Sequence, residues 1–185
     1  MTNYIVSGLE RSGTSMMMQI LNRAGVPIAY DNSRKPDENN ELGYYELYEG
    51  KIIDNIKNID FDDYKEKFIK VTSIGLEFLP EDGRKYKIIF MVRDIEEIIE
   101  SSKKFSGKFE EYSYMKEILR KLMYKLIDDM NNRKDIEYVL INHHSLIECP
   151  EQEILKVNDL LGLDVSDGIK AIKKDMWHCR NTEVV

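Results

Sequence analysis

The chain has 185 residues, 42% of them hydrophobic and 33% charged, with a formal net charge of −7 at pH 7. That length suits one domain over residues 1–185 with an ordinary buried core, and the acidic balance excludes a general nucleic-acid binder, which needs a basic face. No apolar run approaches the ~20 residues of a membrane-spanning helix, and an N-terminus that leads straight into a strand predicts no signal peptide. Cys149 and Cys179 lie far apart, and neither belongs to a CxxC pair. They argue against a disulfide framework or a zinc site and predict a reducing, cytoplasmic setting with no metal.

Residues 3–8 read as a buried strand, followed by a glycine loop and a helix over Thr14–Ala24, which Pro27 ends. Residues 29–43, rich in Asp, Asn, Glu and Gly, read as a mobile loop. A helix is predicted from Tyr45 to Ile56, and Phe68-Ile69-Lys70-Val71 is a short strand. Tyr86 to Val92 is the strongest strand, a near-continuous apolar run of the kind found at the centre of a parallel sheet. Asp94 with Glu97 makes a capping box that opens a helix to about Phe105. Apolar residues at 112, 115, 119, 122, 126 and 130 mark a long amphipathic helix over Glu110–Asn132. Tyr138-Val139-Leu140-Ile141 is a fourth strand, and Glu151–Leu161 a last helix ended by Gly162. Strands alternating with helices imply an α/β fold, three layers deep, with a central, mostly parallel sheet.

Ligands of such sheets bind beyond the carboxyl ends of the strands, and two features fall there. The first is Gly8-Leu9-Glu10-Arg11-Ser12-Gly13-Thr14-Ser15, which has the outline of a P-loop, G-x-x-x-x-G-x-[ST]. Thr14 stands where a nucleotide kinase carries the lysine that reaches the β- and γ-phosphates, and Arg11 is the only cation in the loop. Backbone amides of Ser12 to Ser15 at the start of a helix would face an anion there. The second is Arg93 at the end of the strongest strand, with Ser101 eight residues on. Such a pair suits a second phosphate at a distance from the first.

The loop Arg11-Ser12-Gly13-Thr14-Ser15, the strand-end Arg93 and the spacing to Ser101 resemble the PAPS-dependent sulfotransferase family (PAPS is 3′-phosphoadenosine 5′-phosphosulfate). Met16-Met17-Met18-Gln19, Gly43-Tyr44-Tyr45-Glu46 and the stretch from Asn142 to Gly162 resemble small bacterial members, so the likeness spans roughly residues 3–162. The resemblance implies the P-loop-like fold and a transferase that moves the sulfuryl group of PAPS to a small-molecule acceptor, releasing PAP. It implies that Ser12, Gly13, Thr14 and Ser15 cradle the 5′-phosphosulfate, that Arg11 meets charge on the bridging oxygen, and that Arg93 and Ser101 take the 3′-phosphate. It also implies Glu46 as general base, with Glu41 in reserve, and Lys70 as an aid to the leaving group.

The chain departs from the family pattern in four places. Glu10 replaces a proline, Thr72-Ser73 stand where many relatives have a histidine, and His143 replaces a tyrosine. Of the basic C-terminal segment of larger relatives, only Arg180 remains. Read from the residues alone, two other functions stay open. Ile88 to Val92 followed by Arg93-Asp94 mimics a Walker B strand, which would make the chain an atypical P-loop nucleotide kinase with Asp94 beside Mg²⁺. A catalytically silent domain that binds PAP or another nucleotide is the other. Taken one at a time, Asp94 is better read as an N-cap, Met16 to Met18 as packing, and His143 and His144 as structural.

Overall fold

A computed structural model describes residues 2–32, 34–37, 40–106 and 112–173. Its centre is a sheet of strands β1 (Thr2–Gly8), β2 (Phe68–Lys70), β3 (Lys85–Val92) and β4 (Ile136–Asn142), in the order β2-β1-β3-β4. Every pairing is parallel, with Ile5 opposite Ile69 and Ile88, and Ile88 opposite Tyr138. Around it lie helices α1 (Thr14–Arg23), α2 (Ile52–Asn55), α3 (Ile95–Ser106), α4 (Tyr112–Asn132), α5 (His143–Glu148) and α6 (Pro150–Leu161).

The central strands read as continuous apolar runs because both of their faces are covered. Ile5, Ile88 and Phe90 pack on one side with Leu126 and Met130 of α4. Val6, Ile89 and Met91 pack on the other with Met17, Ile20 and Leu21 of α1 and with Ile154 and Val157 of α6. Three layers result, as expected. Among the described residues no helix is long and apolar enough to cross a membrane.

Several predicted ends hold and one element does not. Asp94 Oδ1 accepts from the amides of Glu96 and Glu97, the N-cap its position implied, while the Glu97 carboxylate accepts from Arg93 Nε. Gly162, at φ 70, closes α6. The helix predicted from Tyr45 to Ile56 is absent as a unit: Tyr45, Tyr48 and Glu49 have φ of 53, 55 and 56. Three left-handed residues cannot propagate a right-handed helix, so only short 3-10 turns and the four-residue α2 form. The segment His143–Glu148, unassigned from sequence, is helix α5, capped by Asn142 Oδ1 accepting from Ser145 N.

Candidate active site

The glycine loop leaves β1 at the carboxyl end of the sheet and enters α1. Gly13 is the N-cap in a left-handed conformation, φ 98, with no side chain capping the helix. The first intrahelical bond there is Met17 N to Gly13 O, so the amides of Thr14, Ser15 and Met16 precede it and point out of the helix end. Such an end favours an anion. The amide of Ser12, expected among these donors, instead donates to Leu9 O at 3.1 Å and closes the turn. Ser12 Oγ is fully buried without a hydrogen-bond partner among the described residues, an unsatisfied polar group worth about 1–3 kcal/mol. Gly13 is also required by space, because a Cβ there would lie 2.6 Å from Cδ2 of His143.

The loop's cation and the strand-end pair converge. Arg11, a non-glycine residue at φ 67, donates from Nε to Ser101 Oγ at 3.0 Å. Arg93 donates from Nη1 to the carbonyl of Arg11 at 2.9 Å and from Nε to Glu97 Oε2 at 2.9 Å. The two elements are therefore one assembly, with the backbone of Arg11 held from β3 and its side chain held from α3. Glu10, the anion within the loop, is solvent-exposed.

A second cluster lies against the loop. Lys70, at the end of β2, donates to Ser15 Oγ at 3.0 Å and to the carbonyl of Tyr44 at 2.9 Å. It also pairs with Glu46 Oε1 at 2.7 Å. The other carboxylate oxygen of Glu46 pairs with Arg34 Nη1 at 3.0 Å. Burial pulls the Lys70 ammonium below its ordinary pKa, Glu46 pulls it back up, and the charges of Arg34 and Arg11 add to the lowering. Burial, and then a hydrogen bond to Asp37, raise the Tyr44 hydroxyl above its usual range, so it stays protonated and donates to both Asp37 oxygens at 2.8 Å.

The structure thus gathers Arg11, Ser12, Gly13, Thr14, Ser15, Lys70, Arg93, Ser101 and Glu46 at the carboxyl end of the sheet. Glu41 does not join them: it is exposed and pairs with Lys173 at 3.5 Å.

The sulfotransferase domain profile matches residues 1–182. The chain belongs to the sulfotransferase domain family. Two solved sulfotransferase domains share its fold. One comes from the olefin synthase of Synechococcus PCC 7002, at 12% identity and a TM-score of 0.55, covering 96% of this chain and 79% of that one. The other comes from the curacin biosynthetic pathway, at 15% identity and a TM-score of 0.52, covering 95% and 80%. A sugar kinase from Janibacter sp. HTCC2649 aligns at 14% identity over 90% of this chain and 98% of that one, with a TM-score of 0.44. No curated protein matches the chain.

In this sulfotransferase domain, Asp94, which the kinase reading gave to Mg²⁺, spends Oδ1 on capping α3. Arg34, Asp37 and Gly50 were not singled out from sequence. Arg34 and Asp37 fall in the stretch 29–43 that reads as a mobile loop, Gly50 falls inside the predicted helix, and only the fold brings them to the β2 end. Arg180 lies outside the described residues.

His143 gives a pH signature. Burial, and then the nearby Arg93 cation, lower its pKa from 6.5 to about 3. Between those values the unfolded chain binds the proton and the folded chain does not. The stabilisation is therefore complete above pH 6.5 and is lost as pH falls towards 3, by at most about 1.4 kcal/mol per pH unit. His143→Asn should flatten the acid side of the stability curve relative to wild type, read as urea midpoints at pH 4 to 7. Equal slopes for the two proteins would contradict a neutral His143.

Proposed function

We propose that the protein transfers the sulfuryl group of PAPS to a hydroxyl or amine of a small acceptor and releases PAP. One observation carries this reading: Arg11, the cation of a phosphate loop whose lysine position holds Thr14, is linked at 3.0 Å to Ser101 and at 2.9 Å to Arg93. A phosphate loop without a triphosphate lysine, joined to a second cationic site, suits a ligand with a phosphosulfate at one end and a separate phosphate at the other.

The residues present fit that ligand. The uncapped amides of Thr14, Ser15 and Met16 would receive the 5′-phosphosulfate, and Arg93 with Ser101 the 3′-phosphate, while Ser12, its hydroxyl fully buried and its amide on Leu9 O, shapes the loop. Ser101 can do this while accepting from Arg11, because a hydroxyl has one proton to donate and two lone pairs. In the reaction the acceptor's O–H or N–H proton goes to the Glu46 carboxylate, and the acceptor atom forms a bond to sulfur. The bond from sulfur to the bridging oxygen breaks, and its electron pair leaves with PAP. Arg11 would meet the charge that grows on that oxygen, with Lys70 assisting from the β2 end, so most of the rate comes from positioning and electrostatics.

Incubation with sulfur-labelled PAPS and a panel of phenols, alcohols, sugars and amines tests the reading. The expected result is label in an acceptor, with one PAP released per labelled ester or sulfamate. Phosphoryl transfer from ATP–Mg²⁺ to the same panel would show a kinase instead. PAP binding without transfer to any acceptor would show a silent domain.

A further inference from the structure

The segment from Asp31 to Gly50 is tied together far more closely than a connecting loop needs. The amide of Asp31 donates to Glu46 O at 3.1 Å, and Gln19 of α1 holds Asn40 Oδ1 at 2.9 Å and Gly43 O at 3.2 Å. Inside this frame the Arg34 guanidinium lies 3.5 Å from the centre of the Tyr44 ring. That ring is fixed in turn by its hydroxyl on Asp37 and by its carbonyl on Lys70.

The frame converges on one carboxylate. Lys70 takes Oε1 of Glu46 at 2.7 Å and Arg34 takes Oε2 at 3.0 Å. Space for the second contact exists only because residue 50 is glycine. A Cβ on Gly50 (φ 80) would lie 2.6 Å from Glu46 Oε2 and 3.8 Å from Arg34 Nη1. A lysine is a point donor on a flexible stem, and the terminal torsion of a glutamate is broad and nearly two-fold. Lys70 alone would leave that carboxylate free to turn. A planar guanidinium, stacked on an aromatic ring and bound to the other oxygen, removes the remaining freedom.

We propose that Arg34 is a positioning residue for sulfuryl transfer, fixing the orientation of the Glu46 carboxylate through its second oxygen, with Gly50 as the clearance that permits the contact. This rests on the reading of Glu46 as the base. Arg34 itself touches neither phosphate-binding element through the contacts described, so its loss should leave donor binding intact and act on the transfer step.

Carbodiimide labelling read by mass spectrometry tests the placement without any acceptor. Wild type, Arg34→Gln, Arg34→Lys and Gly50→Ala are compared, with the buried Glu153 as internal control. Glu46 should label several-fold faster in Arg34→Gln and in Gly50→Ala, which keeps both cations but pushes the carboxylate aside. Glu153 labelling should not change, PAP affinity should stay within about twofold, and Arg34→Lys, which keeps the charge but not the stacked plane, should restore only part of the protection. With an acceptor in hand, kcat of Arg34→Gln should fall about 10- to 100-fold at unchanged KM for PAPS, the scale of a misplaced catalytic group. Unchanged Glu46 labelling in both variants, Glu153 labelling that rises in step, or PAP affinity lost together with kcat would each overturn the proposal. A wild type that fails to bind PAP would overturn the proposed function instead, and the labelling result would stand apart from it.

Discussion

Arg11→Ala is expected to lower kcat/KM for PAPS by about 2–4 kcal/mol of transition-state stabilisation, the cost of removing one preorganised donor from an active site. Two features of its surroundings make Arg11 preorganised. Its backbone sits at φ 67 with its carbonyl held by Arg93, and its Nε is held by Ser101. The charge therefore waits in place and needs no reorganisation when the bridging oxygen becomes anionic. Stability should change little, because alanine inherits the same left-handed strain that arginine already bears. Arg11→Lys keeps a cation but not the Nε contact to Ser101, and should fall between wild type and alanine. Stopped-turnover assays with PAPS, together with a urea melt, check both halves. A wild-type rate in Arg11→Ala would remove this residue from the reaction.

Arg93→Ala should bring PAP affinity down close to that for AMP, since a charge-assisted hydrogen bond to the 3′-phosphate contributes about 1.5–3 kcal/mol. It should also destabilise the fold. The pair Arg93–Glu97 has only 9% and 5% of its side chains exposed, and removing one partner of such a buried pair costs about 3–5 kcal/mol. The lost tie to the Arg11 carbonyl would loosen the phosphate loop as well, so affinity for AMP should decline modestly. Calorimetry with PAP and AMP separates these effects. An unchanged preference for PAP over AMP in the variant would sink the assignment of the 3′-phosphate to Arg93, whatever happens to stability.

What could be read from sequence follows from how local its cause is. The strands β1 and β3 are visible because a strand covered on both faces must be apolar throughout, as Ile5-Val6 and Ile88 to Met91 are. The phosphate loop is visible because its glycines, Arg11 and the start of α1 are contiguous. Arg93 and Ser101 are visible because the end of β3 and the turns of α3 preserve their spacing. The stretch from Tyr45 to Ile56 misled for a physical reason. Leu47, Ile52 and Ile56 are all buried at near-helical spacing, yet Tyr48, Glu49 and Gly50, all at positive φ, break the chain between Leu47 and Ile52. Helix α5 had a local signal in Asn142, an N-cap residue directly before it, which the strand pattern ending at Ile141 overshadowed. In the Arg34–Glu46–Lys70 cluster, Glu46 and Lys70 are reached through the family resemblance alone, and Arg34 has no signal. The cluster's members come from a polar loop, a broken turn and a strand end, and only the folded path of residues 31–50 sets two cations on one carboxylate.

The central claim is that the loop and the Arg93–Ser101 pair together recognise a 3′-phosphoadenosine ligand. Calorimetric titration of the protein with PAP, AMP and ATP–Mg²⁺ in parallel tests it most directly. Tight binding of PAP, with AMP and ATP–Mg²⁺ far weaker, is the predicted result. Binding of ATP that requires Mg²⁺, with no preference for PAP, would contradict it.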